Sequence, residues 1–142
     1  MNLLSPQLPI EHPRVIAAIQ AAERRTSGEI RVVVSPRKTD DPVALAQREF
    51  ERLGMTQTAA RNGVLILLAP APRRFAVIGD TAVHEKCGAT FWTEVAAAMT
   101  AEFQRGDFTA GLVLGIDRCG ALLAEHFPRT GDDRNELPDE IA

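Results

Sequence analysis

Apolar residues along this chain recur with two periods, and the switches between them mark the elements. From Pro13, Val15, Ile16, Ile19 and Ala22 fall at helical spacing, with Pro13 suited to a first turn and Gly28 to an end. Ile30 and Val32 to Val34 then form a dense β-branched run closed by Ser35 and Pro36, the pattern of a strand covered on both faces. Asp40-Asp41-Pro42 reads as an N-cap with a first-turn proline. Val43, Leu45, Ala46, Phe50 and Leu53 supply the buried stripe of the second helix up to Gly54. Two strands follow, over residues 63–69 and 73–79, separated by Pro70-Ala71-Pro72. So short a turn implies an antiparallel hairpin. After Asp80 come a short helical piece over 81–87 and a longer helix over 90–104, with Phe91, Val95, Met99 and Phe103 inward. Gly106-Asp107 breaks it from a last helix over 109–126, which carries Leu112, Ile116, Leu122 and Leu123.

These elements define a topology. The strand at Ile30 reaches the strand at Val64 through a helix, a βαβ arrangement that requires parallel pairing and a right-handed crossover. The next strand returns antiparallel. The expected fold class is α/β, a three-layer α/β/α sandwich with a mixed, mostly parallel sheet containing one antiparallel hairpin. Residues 1–12, with Pro6 and Pro9 and no periodicity, read as a leader, residues 13–127 as the domain, and residues 128–142 as an acidic, turn-rich tail.

Composition narrows the classes of function. The chain has 142 residues, 45% hydrophobic and 25% charged, which suits one soluble domain with a packed core. A net charge of -3 gives no clustered Lys and Arg for a phosphate backbone, so nucleic acid is not expected. The N-terminus lacks the basic and apolar regions of a secretory signal, and no apolar run reaches the roughly 20 residues of a membrane helix. No membrane insertion is expected. Cys87 and Cys119 stand outside any Cys-x-x-Cys or zinc spacing and read as reduced thiols of a cytoplasmic protein, packed in helices.

Six words occur in a telling order: Thr26-Ser27-Gly28-Glu29-Ile30-Arg31-Val32, Asp41-Pro42, Arg61-Asn62-Gly63-Val64-Leu65-Ile66, Ile78-Gly79-Asp80, Phe103-x-x-Gly106-x-Phe108-x-x-Gly111 and Asn135-Glu136-Leu137-Pro138. As an ordered set spanning roughly residues 13–138, they resemble the TPM domain family, and its short bacterial branch in particular. The resemblance implies an α/β/α sandwich with a mixed sheet, in agreement with the topology above. It also implies several functions, because some members are described as calcium-binding, a plant thylakoid-lumen relative as an acid phosphatase, and an animal relative as an accessory subunit of a receptor. Longer members carry an export signal and a membrane helix after the domain, neither of which is read here.

Topology also gathers polar residues without help from the family. Parallel first and second strands place their starts, Glu29 and Asn62, at one sheet edge, and the antiparallel third strand brings its end, Asp80, back to that edge. Two carboxylates and an amide oxygen are hard donors of the kind calcium or magnesium takes. Arg31, Arg61 and His84 flank this group. The competing reading is that Arg31 and Arg61 pair with the carboxylates, Asn62 caps a turn and Asp80 caps the helix from Thr81. Asp40-Asp41, at the opposite edge beside Arg73-Arg74, reads as a helix cap. Asp132, Asp133, Asn135 and Glu136 lack the Gly and bidentate Glu of an EF-hand. His12 and His126 read as helix-terminus residues, the latter suited to a cationic imidazolium.

No Gly-x-Ser-x-Gly elbow, Cys–His pair or phosphate loop is present. The leading expectation is therefore a calcium- or magnesium-binding regulatory or interaction domain without organic cofactor. The alternatives are a metal-dependent acid phosphatase, with Asp80 or Glu29 as ligand or base and Arg31 and Arg61 on the phosphate, and a protein-partner module without metal. Trp92 and Phe91 would anchor such a partner unless helix spacing with Val95 turns them into the core.

Overall fold

The computed structural model describes residues 9–69 and 74–129. The elements run α1 (His12–Glu23), β1 (Ile30–Val34), α2 (Pro42–Arg52), a single 3-10 turn (Met55–Gln57), β2 (Val64–Leu68), β3 (Phe75–Gly79), α3 (Thr81–Gln104) and α4 (Phe108–His126). Among the described residues the sheet has three strands in the order β1-β2-β3. β1 and β2 pair parallel from Ile30↔Val64 to Val34↔Leu68, and β2 and β3 antiparallel from Val64↔Gly79 to Leu68↔Phe75. The α/β class and the mixed sheet are as the pattern requires. Parallel and antiparallel pairings are equal in number, however, so the sheet is not mostly parallel. The reason is that one βαβ crossover is followed directly by a hairpin. The hairpin turn itself and nearly all of the acidic tail lie outside the described residues.

Alternation along the strands divides the core in two. Ile30, Val32, Val64, Ile66 and Leu68 face one way, into a cluster completed by Val15 and Ile19 of α1, Val95, Met99 and Phe103 of α3, and Leu112, Ile116 and Leu123 of α4. Val33, Leu65, Leu67 and Ala76 face the other way, against Leu45, Ala46 and Phe50 of α2 and Met55. Every residue of β2 is buried, which is why this strand reads as an unbroken apolar run. Burying such runs on both faces is the main stabilising term, at roughly 25 cal/mol per Å² of apolar surface.

Helix α4 lies between α1 and α3 because its glycines admit close neighbours. A Cβ at Gly111 would stand 2.3 Å from Phe103 Cε1, one at Gly115 2.6 Å from Met99 Sδ, and one at Gly120 2.7 Å from Ala22 Cβ. Helix α3 is two helices in sequence, as the pattern predicts, with Gly88 between them at φ 72° and ψ 172°. The left-handed φ is one that glycine adopts without steric cost.

The turn into β1 is tied to the end of α4. The Thr26 hydroxyl donates to the Leu123 carbonyl at 3.1 Å and accepts from the Gly28 N–H at 3.0 Å, while the Glu23 carboxylate accepts from the Ile30 N–H at 3.0 Å. Glu23 and Thr26 are thereby engaged inside the protein, and the start of β1 is fixed in place. Ile10, within the segment expected to be a leader, packs on the core, and the Glu11 N–H donates to Thr109 Oγ1 at 2.9 Å. Among the described residues no helix is long and apolar enough to cross a membrane.

Candidate functional site

The end of β3 sets the site. Asp80 donates its N–H to the Gly63 carbonyl at 2.8 Å, which extends the β2–β3 ladder by one bond, and the chain then turns into α3. Asp80 Oδ1 accepts the Thr81 N–H at 2.7 Å, so the side chain caps the helix as its position in the sequence predicts. Across from it, residues 58–61 lead from the 3-10 turn to β2. Arg61 there has φ 52°, the only positive φ outside glycine among the described residues. Its backbone is held at both ends, by its N–H on the Thr58 carbonyl at 3.3 Å and its carbonyl under the Ala82 N–H at 3.2 Å.

From that position the Arg61 guanidinium forks the Asp80 carboxylate, with Nε on Oδ2 at 2.7 Å and the second nitrogen on Oδ1 at 2.8 Å. The hydrogen bond and charge of Asp80 push the Arg61 pKa further up, so the guanidinium is a permanent cation. The burial of the two partners is unequal. The Asp80 side chain is 4% exposed and the Arg61 side chain 45%. A buried carboxylate is thus compensated by a cation whose side chain is partly in water.

The other expected residues are distributed around the same edge. Because Ile30, Val64 and Gly79 stand side by side in the sheet, Glu29, Asn62 and Asp80 all lie at its open end, and all three are buried. Asn62 Nδ2 donates to Ser27 Oγ at 3.2 Å, and the Glu29 carbonyl accepts the Val64 N–H at 2.8 Å. Arg31 is buried in β1. His84 is exposed in the first turns of α3, and its Nδ1 accepts the indole N–H of Trp92 at 3.2 Å, a bond that spans the Gly88 kink. Trp92 and Phe91 are half-buried against the core and stacked edge to face, 5.2 Å between centroids. At the far edge, Asp41 caps α2 through Ala44 N–H at 3.0 Å, and Asp40 lies 3.9 Å from Arg74.

A cleft of about 420 Å³ opens beside Asp80. Asp80, Thr81 and His84 form one wall, and Gln47, Glu51 and Thr56 the other, over a floor that includes Phe50 and Ile78. The second wall is not evident from the sequence. Gln47 and Glu51 stand one helical turn apart on α2 and therefore share a face. That spacing is the one available signal, and it is as common on solvated helices as in clefts.

The donor chemistry of the cleft is hard. Two carboxylates, an amide and two hydroxyls offer oxygen, the element that calcium and magnesium prefer, and His84 adds one nitrogen. Among the described residues no three His, Cys, Asp or Glu side chains are already arranged to hold a metal ion. Asp80 instead has a built-in stand-in, the guanidinium. Its position shows that a cation fits against this carboxylate. Burial pushes the Cys119 thiol up to about 12 and raises that of Cys87 as well, which favours the protonated thiol over the thiolate at both.

Comparison with known proteins places this geometry in a family. A model of the TPM domain matches residues 1–122. No curated protein matches the chain. Among solved structures, the NMR structure of the BA42 protein from the psychrophilic bacterium Bizionia argentinensis is similar at a TM-score of 0.87 and 34% identity, over 99% of each chain. The solution structure of the N-terminal domain of a P. gingivalis protein is similar at a TM-score of 0.64 over 78% of this chain and 72% of that one. At 18% identity this second likeness concerns the fold alone.

Proposed function

The chain belongs to the TPM domain family, and from that premise we propose that it is a cytoplasmic regulatory or interaction domain whose cleft at Asp80 takes calcium or magnesium. The observation that carries the reading is a carboxylate 4% exposed that nevertheless lines an open cleft of oxygen donors. Burying a carboxylate is costly unless a positive charge compensates it. Arg61 supplies that charge in this structure, and a divalent cation anchored on Asp80 would supply it in its stead and draw on Glu51, Gln47 and the threonine hydroxyls of the cleft walls. Glu29 and Asn62, buried at the same end of the sheet, do not line this cleft, and the proposal gives its ligand roles to the cleft residues alone. The acid phosphatase reading asks for more. Phosphate would need more than one accessible guanidinium, whereas Arg31 is buried in β1 and Arg61, though partly exposed, is paired with Asp80.

The test is a thermal melt with and without each cation. A ligand at about a hundred times its dissociation constant stabilises the native state by about 2.7 kcal/mol. Calcium or magnesium should raise the Tm of the wild type and leave Asp80→Asn unmoved. Asn keeps a capping oxygen but removes the charge, so a shift of equal size in both proteins, or in neither, overturns the proposal.

A further inference from the structure

Resting on the cation reading of the Asp80 cleft, we infer that Arg61 is its gate: the guanidinium is an internal competitor that a divalent cation must displace, and it thereby sets the concentration at which the site fills. Three observations support this. First, both oxygens of Asp80 are engaged by Arg61, at 2.7 and 2.8 Å, so a cation approaching the carboxylate meets an occupied position. Second, the two partners differ in their freedom to leave. Asp80 is enclosed and holds α3, whereas Arg61 has 45% of its side chain in water and can swing out by rotation about its own side-chain bonds. Its backbone need not move, since the bonds to Thr58 and Ala82 are made by the main chain.

Third, the exchange leaves the helix cap intact. Thr81 N–H is bound to Oδ1, whereas Oδ2 takes only the Arg61 Nε among the described residues. A cation that settles on Oδ2 removes the guanidinium without uncapping α3. Gating therefore costs the fold little, and the competition is between two cations for one oxygen. A neutralised carboxylate binds a metal more weakly than a bare one. The competition therefore raises the cation concentration at which the site fills.

Calorimetric titration of calcium chloride, and separately magnesium chloride, into the full-length wild type, Arg61→Gln and Asp80→Asn tests this. Arg61→Gln should bind about threefold tighter than wild type, the range expected when a partly solvated ion pair no longer competes. Asp80→Asn should not bind. Equal or weaker binding by Arg61→Gln, with wild-type binding that depends on Asp80, overturns the gate and leaves the cation reading standing. No binding by wild type or Arg61→Gln overturns the cation reading and the gate with it. A measurement on the wild type alone guards against a misfolded variant. The Arg61 Nε–H resonance in a ¹H–¹⁵N spectrum should move to the position of a free arginine as calcium is added, and a resonance that stays fixed while the ion binds contradicts displacement.

Discussion

Gly111→Ala tests the packing that holds α4 in place, and the structure bounds its effect. The new Cβ would stand 2.3 Å from Phe103 Cε1 and 2.6 Å from Cδ1, well inside contact distance, so something must give. The Phe103 ring has little room to yield. It is 4% exposed, meets Phe75 edge to face at 5.0 Å and 80°, and lies 6.1 Å from Phe108. Overpacking of this kind costs about 1–3 kcal/mol. Against it stands the helix preference of Ala over Gly, about 1 kcal/mol in favour of the variant. The net expectation is a loss of up to about 2 kcal/mol, or a Tm lower by several degrees for a domain of this size. Urea denaturation followed by far-UV circular dichroism measures it, with an unchanged m-value confirming that the effect lies in the native state. Phe103→Leu supplies the control, since without the ring the same Gly111→Ala change should become neutral or stabilising. If Gly111→Ala stabilises the wild type outright, the ring has space that the structure does not show, and the packing argument is wrong.

Two further outcomes follow from the site and the thiols. Asp80→Ala should be less stable than Asp80→Asn by about 1 kcal/mol, because Asn still caps α3 and Ala does not. Equal stabilities in urea melts would mean that the cap contributes nothing. Cys119, whose native thiol keeps its proton up to about 12 against an ordinary 9.0, should resist iodoacetamide at about pH 8 until the protein is unfolded. Between those two pKa values the native chain binds more protons than the unfolded one, so this thiol's contribution to stability should fall as pH rises through the window, and Cys119→Ala should flatten that fall.

The fold was legible where local pattern and connectivity agree. The βαβ crossover followed from a helix between two apolar runs, the hairpin from a turn too short for anything else, and the division of α3 from its reading as a short piece over 81–87 and a longer helix over 90–104. Less was legible where tertiary packing chooses. That α4 sits between α1 and α3 depends on Gly111, Gly115 and Gly120 meeting Phe103, Met99 and Ala22, and such encounters have no signature in one chain read alone. The site divides in the same way. Strand direction was enough to bring Glu29, Asn62 and Asp80 to one edge, and Arg61 to Asp80. The facing wall of Gln47, Glu51 and Thr56 was not accessible, because the rotation of α2 over the sheet is set by how Phe50 and Leu45 seat, not by the polar residues on its flank. Likewise, the Trp92 bond to His84 required knowing how the two halves of α3 meet at the kink.

The most direct test of cation binding at Asp80 is a high-resolution crystal structure of the wild type grown with calcium. The expected result is an ion in the cleft with Asp80 Oδ2 at the roughly 2.3–2.6 Å typical of calcium–oxygen bonds, Thr81 N–H still on Oδ1, and the Arg61 guanidinium turned out to solvent. A cleft without an ion at saturating calcium, with Arg61 still forked on Asp80, would contradict it.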